Sequence, residues 1–117
     1  MNKIYHLSSC STCQKIIKDL GLKDKGFTFQ DIKTEKITPV QLDEMIKMAG
    51  GVEPLFSTKA IKYRELGLKD KKLTDKQIKD YILDEYTFLK RPVIIIRSKI
   101  FIGNSAEAIS KVKDSLK

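Results

Sequence analysis

Within its first 32 residues the chain runs β-prone, then helical, then β-prone again, and that order admits few folds. Lys3-Ile4-Tyr5-His6-Leu7 passes straight into the polar run Ser8-Ser9-Cys10-Ser11, the pattern of a strand ending in a turn. Ile16, Ile17 and Leu20 then recur at helical spacing, Lys15 and Lys18 fall on or beside the wet face, and Gly21 stands where a C-terminal cap belongs. Phe27-Thr28-Phe29-Gln30-Asp31-Ile32 alternates and is rich in aromatics, which suits a second strand entered through Gly26. A strand, helix and strand joined this way pair parallel through a right-handed crossover, leaving the strand-to-helix loop at the carboxyl end of the first strand. That loop carries Cys10.

The middle of the chain reads as helical. Thr38-Pro39 supplies an N-cap and a proline at the first helical position, and Leu42, Met45, Ile46 and Ala49 form a stripe that Gly50-Gly51 stops. Residues 58–66 and 74–83 are predicted helices, the second with Thr74 and Gln77 placed for a capping box. Beyond Pro92, residues 93–96 read as a buried strand and Ile100-Phe101-Ile102 as its partner, with Ser98-Lys99 as the turn and Gly103 ending the sheet. Ser105 can cap a last helix that gathers Ala108, Ile109, Val112 and Leu116 on one face. The expected architecture is α/β, a four-stranded mixed sheet with flanking helices. It forms one domain over residues 1–117, with a helical insertion at about 38–86 between the second and third strands.

Its 117 residues suffice to bury a core without a metal or disulfide scaffold. The opening residues, with Lys3 and His6, lack the apolar stretch and small-residue cleavage site of a secretory signal, so a cytoplasmic location is expected. The longest aliphatic run, at residues 93–96, is far short of the roughly 20 needed to span a bilayer, and no membrane association is expected. A net charge of +8 raises the question of acidic partners. The lysines, however, are interleaved with carboxylates, as in Lys69-Asp70-Lys71-Lys72, which fits solvated helix faces and not direct DNA binding.

Cys10-Ser11-Thr12-Cys13 is the most informative motif. Its first sulfur lies at the mouth of a helix, where unpaired backbone N–H groups and the helix dipole favour an anion. Such a thiolate can have its pKa lowered from about 8.5 to between about 3.5 and 7.5. Cys10 is then the natural nucleophile, and Cys13, within the first turn and more shielded, the resolving thiol of a redox-active disulfide. Two inert buried thiols are the plainer alternative. A structural zinc site needs four ligands, and His6, the single histidine, leaves the set one short. Ser11 and Thr12 offer hydroxyls and backbone donors to an anion, or simply cap the helix. His6 could sit near the thiolate or serve only packing. Arg91-Pro92 is the second motif: a proline opening a central-looking strand belongs at its first position or in a special turn, where a cis peptide is expected. The planar fork of Arg91 suits an oxyanion or a thiolate.

With these pieces placed, the chain resembles the glutaredoxin-dependent arsenate reductase (ArsC) and Spx family, of the thioredoxin-like fold. The resemblance rests on Ile4-Tyr5-His6 running into Cys10, on Tyr63-x-x-Leu66-Gly67-Leu68, and on Leu89-Lys90-Arg91-Pro92-Val93-Ile94. It implies Cys10 as the redox nucleophile, Pro92 as the cis-proline facing it, and Arg91 as the arginine near the sulfur. It further implies a thiol–disulfide oxidoreductase that binds no cofactor, works as a monomer, and takes electrons from glutathione, glutaredoxin or thioredoxin. Arsenate is then a candidate substrate. Ser57, Gly103 and Gln14 stand where such reductases carry arginine. The Cys-x-x-Cys resembles instead the switch of Spx-type regulators, which implies the alternative of a redox-sensing regulator binding the C-terminal domain of the RNA polymerase α subunit. Gly50 and Gly51 lie near the glycine that serves this contact, and they also read as a plain helix stop.

Overall fold

A computed structural model describes residues 2–117. It resolves the chain into two compact units, one formed by the residues up to Glu35 together with Arg91–Lys117, the other by Lys36–Lys90.

The first unit holds the sheet. β1 (Asn2–His6), β2 (Thr28–Asp31), β3 (Val93–Ile96) and β4 (Lys99–Ile102) lie in the order β2-β1-β3-β4. β1 pairs parallel with β2, placing His6 beside Asp31, and antiparallel with β3, so the sheet is mixed. α1 (Ser11–Leu20) and the last helix, α5 (Ala106–Leu116), supply Ile16, Ile17, Leu20 and Val112 to one buried cluster with Ile4, Ile94 and Ile96 of the strands. This is the four-stranded α/β architecture of the thioredoxin class. α1 ends at Gly21, whose φ of 62° is the left-handed conformation a C-cap requires.

Three expectations need correcting at their edges. β4 begins at Lys99, paired with Ile96, so the hairpin turn is Arg97-Ser98 and not Ser98-Lys99. Arg97 takes φ 57° there, a left-handed position that Gly or Asn usually occupies, so no turn-forming residue type marks it. In β2 the fully buried side chain is Gln30, with Nε2 donating to the Glu35 carbonyl at 3.1 Å, while Phe29 is only partly covered. The predicted helix at 58–66 shrinks to Ile61–Glu65, because the preceding residues form a turn and a bend.

The second unit contains α2 (Pro39–Ala49), α3 (Ile61–Glu65) and α4 (Asp75–Asp84). Thr38 and Thr74 each close a full capping box, with Gln41 and Gln77 respectively. Gly50 at φ 79° stops α2, its N–H and that of Gly51 both reaching the Ile46 carbonyl. Leu42, Met45, Leu55, Leu68, Ile82 and Phe88 are buried within this unit, and Phe88 stacks against Phe56 at 5.3 Å and Tyr81 at 5.5 Å. Lys79 of α4 pairs with Asp43 of α2 at 2.7 Å. Among the described residues no helix is long and apolar enough to cross a membrane.

Candidate active site

The two cysteines occupy unequal positions at the start of α1. Leu7 follows the last residue of β1, Ser8 and Ser9 form a turn closed by the Cys10 N–H donating to the Leu7 carbonyl at 2.9 Å, and Cys10 is the N-cap of the helix. Its backbone is extended, φ −90° and ψ 112°, as an N-cap requires, and its carbonyl accepts the first helical bond from Gln14 at 3.1 Å. Both thiols are free; Cys10 is partly exposed and Cys13 buried.

Their acidities diverge for physical reasons. Burial by itself raises the Cys10 pKa, but the Cys13 backbone N–H, the Cys13 thiol, the Thr12 N–H and the Arg91 charge together outweigh it and hold the thiol below its ordinary value. The Cys10 side chain closes no capping hydrogen bond, but the N–H groups of the second and third helical residues favour its anion electrostatically. Cys13 is pushed up to about 11, chiefly by burial and then by the neighbouring Cys10 sulfur, with the Leu7 backbone and Arg91 opposing. One thiol is primed to be an anion and the other to keep its proton.

Arg91 therefore lies close enough to both sulfurs to act on them electrostatically. The Arg91-Pro92 peptide is cis, and Pro92 is buried at the entrance to β3. Ser11 and Thr12 are exposed on the first turn, and Thr12 acts through its backbone N–H. His6 packs edge-on against Phe29 at 5.7 Å with Nδ1 buried and lacking a hydrogen-bond partner. Burial lowers its pKa, Asp31 pulls the other way, and Lys23 adds to the lowering. A neutral imidazole in that setting is packing and no cation for the thiolate. Among the described residues no group of three or more His, Cys, Asp or Glu side chains could hold a metal ion.

The sequence profile of the ArsC family matches residues 5–112. The chain belongs to the ArsC family. A global transcriptional regulator Spx from Staphylococcus aureus is 24% identical over 112 residues, covering 95% of this chain and 86% of the relative. An arsenate reductase structure from Vibrio cholerae superposes with a TM-score of 0.80 at 18% identity, covering 95% of this chain and 96% of that one. A protein from Bacteroides fragilis described as related to the ArsC family gives 0.79 at 25% identity, covering 95% and 96%. The family therefore joins reductases and regulators on one fold.

Gln14, Ser57 and Gly103, where the resemblance implied arginine in the reductases, each take a local role in the structure. Gly103 adopts φ 86° and donates its N–H to the Pro92 carbonyl at 2.9 Å, a conformation an arginine would hold only under strain. Gln14 turns its side chain back, Nε2 donating to the Ser8 carbonyl at 2.6 Å. Ser57 donates its N–H to the Phe88 carbonyl at 2.7 Å within the second unit. Sequence reasoning missed Asp31, whose carboxylate accepts from the Lys33 N–H at 3.1 Å and is held below the ordinary carboxylate range, first by Ser8 of the dithiol loop. The parallel βαβ register, which sets Asp31 beside His6, was the signal that could have found it.

Proposed function

We propose that this ArsC-family protein is a thiol–disulfide oxidoreductase with Cys10 as nucleophile and Cys13 as resolving thiol. The opposed acidities of the pair carry the reading: Cys10 lies below its ordinary pKa, and Cys13 near 11. An anionic sulfur at the exposed helix mouth attacks; a protonated, buried one waits.

In the first step the Cys10 thiolate attacks one sulfur of a substrate disulfide. The new Cys10–substrate bond forms, the substrate S–S bond breaks, and the leaving thiolate takes a proton from water. Cys10 is then no longer an anion, so its contribution to raising Cys13 disappears, while Arg91 and the Leu7 backbone still favour the Cys13 thiolate. Cys13 gives up its proton and attacks the Cys10 sulfur, expelling the second product thiol. The substrate has gained two electrons, and the Cys10–Cys13 dithiol has lost them to become a disulfide. Two glutathione thiols, or the dithiol of glutaredoxin or thioredoxin, return the electrons. Arg91, with the N–H groups at Thr12 and Cys13, stabilises the anion; Ser11, Thr12 and Pro92 line the approach.

Arsenate reduction fits this site less well. An oxyanion gains most from several cationic partners. Gln14 and Gly103 replace two of the family's arginines, and both are engaged in local backbone contacts. The chain is read as a cytoplasmic monomer that binds neither DNA nor membranes. A steady-state NADPH-coupled assay with glutathione and glutaredoxin, offering arsenate and a small disulfide in parallel, tests the assignment. Turnover of the disulfide is expected and is lost in Cys10→Ser, while Cys13→Ser accumulates a mixed disulfide visible by mass spectrometry. Undiminished turnover by Cys10→Ser would refute it.

The likeness to Spx over 95% of the chain favours one second reading. In it the same dithiol is a redox sensor and the protein binds the C-terminal domain of the RNA polymerase α subunit. A pull-down with that purified polymerase domain, on reduced and oxidised protein, decides: redox-dependent capture without turnover promotes the regulator, and no capture in either state removes it.

A further inference from the structure

The turn that carries Cys10 has a weak point. A four-residue turn closed by a bond from residue i+3 to residue i can hold its central peptide in either of two orientations, which differ by a flip of that peptide plane. Here the closing bond runs from the Cys10 N–H to the Leu7 carbonyl, so the central peptide joins Ser8 to Ser9. Both serines are exposed and lie outside any strand or helix; Asp31 engages the Ser8 hydroxyl and N–H, which belong to the side chain and the preceding peptide and do not hold the central one. Because the peptide is planar and trans, its carbonyl and its N–H point in opposite directions, and fixing one fixes the other.

Gln14 supplies the restraint. It is the fourth residue of α1, anchored by its own N–H to the Cys10 carbonyl at 3.1 Å. From there its amide reaches back six residues to hold the Ser8 carbonyl at 2.6 Å. Cys10 lies inside the ring this closes, between the held carbonyl and the helix. We propose that Gln14 is a positioning residue for the dithiol, its amide locking the Ser8–Ser9 peptide in a single orientation and so fixing Cys10 at the N-terminus of α1. The inference deepens the oxidoreductase reading and rests on it, but it predicts behaviour of Cys10 that is measurable without any substrate. It also gives this position a purpose of its own: the amide is a neutral donor to the protein's own backbone.

Gln14→Met tests it, because methionine keeps length and helix propensity and removes the amide whose Nε2 holds the Ser8 carbonyl. Gln14 is exposed, and the variant is expected to melt with wild-type protein. A net hydrogen bond of ordinary strength corresponds to a factor of about 2 to 10, so iodoacetamide should alkylate Cys10 more slowly by about that factor at neutral pH. The pH midpoint of that reaction should rise. Relaxation dispersion at the Ser9 and Cys10 amides should show two-state exchange in the variant and none in wild type. Gln14→Arg, which restores a donor of sufficient reach, should quench that exchange. The proposal stands only if alkylation and amide exchange both change in Gln14→Met. If either matches wild type, Gln14 is an ordinary surface residue of α1. Loss of disulfide turnover with both signatures present would instead count against the oxidoreductase reading alone.

Discussion

At the scale of single residues, the site is an electrostatic asymmetry between two identical side chains three positions apart. Arg91 acts on both sulfurs, so Arg91→Met should raise the alkylation midpoint of Cys10 and slow its reaction near pH 6.5, a change readable from thiolate absorbance during a pH titration. An unmoved midpoint would leave the helix terminus and the Cys13 thiol as the sources of the lowering. Stability carries the opposite signs for the two thiols. Folding lowers the Cys10 pKa, so that thiol stabilises the reduced protein increasingly as pH rises from its folded value towards its unfolded one. Folding raises Cys13, so its contribution is complete below about pH 9 and drains away between about 9 and about 11. Cys13→Ala should therefore flatten the fall in melting temperature of reduced protein over that upper window. The sequence made the cysteines and the arginine legible because their residue types are rare and their chemistry specific. It hid Gln14 and Asp31, whose roles come from which backbone atom a common polar side chain happens to reach.

Among the elements, what could be read in advance was what local chemistry decides. Thr38-Pro39 and Thr74 with Gln77 declared their helices because the capping side chains must sit at fixed offsets; the Thr74 box closes as expected, and Thr38, expected only as an N-cap, closes one with Gln41 as well. Thr74→Ala should cost about 0.5–2 kcal/mol, measurable as a reduced urea midpoint with an unchanged slope. The Arg97-Ser98 hairpin was missed for the converse reason: pairing of Ile96 with Lys99 imposes a left-handed residue that Arg97 tolerates without advertising. Arg97→Gly should relieve that conformation and stabilise the protein by up to about 1 kcal/mol, with the opposite sign expected if the arginine side chain held the turn. The buried Gln30 broke the expected alternation of β2 because it satisfies a carbonyl of the following loop, a tertiary demand that periodicity does not encode. The parallel β1–β2 pair and the β3–β4 hairpin followed from the βαβ rule and the turn signals, whereas the antiparallel pairing of β3 with β1 that sets the strand order is a tertiary contact neither declares.

For the whole molecule, the remaining lever is net charge. The chain carries +8, and most of the excess falls in the unit that holds the dithiol. A field of that sign draws in anionic substrates and is weakened as the Debye length shrinks from about 10 Å at 0.1 M salt to about 3 Å at 1 M. Glutathione disulfide has more carboxylates than ammonium groups, whereas hydroxyethyl disulfide is uncharged. If the lysine-rich surface serves the dithiol, kcat/KM for glutathione disulfide should fall several-fold between about 0.02 and 0.5 M salt while that for hydroxyethyl disulfide stays level. The ratio of the two substrates at each ionic strength cancels any direct effect of salt on the thiolates. A flat ratio would mean that the lysines only solvate their helices, as their interleaving with carboxylates suggests. Recognition would then be confined to Arg91 and the first turn of α1, and substrates would be distinguished by their fit to that turn and not by their charge.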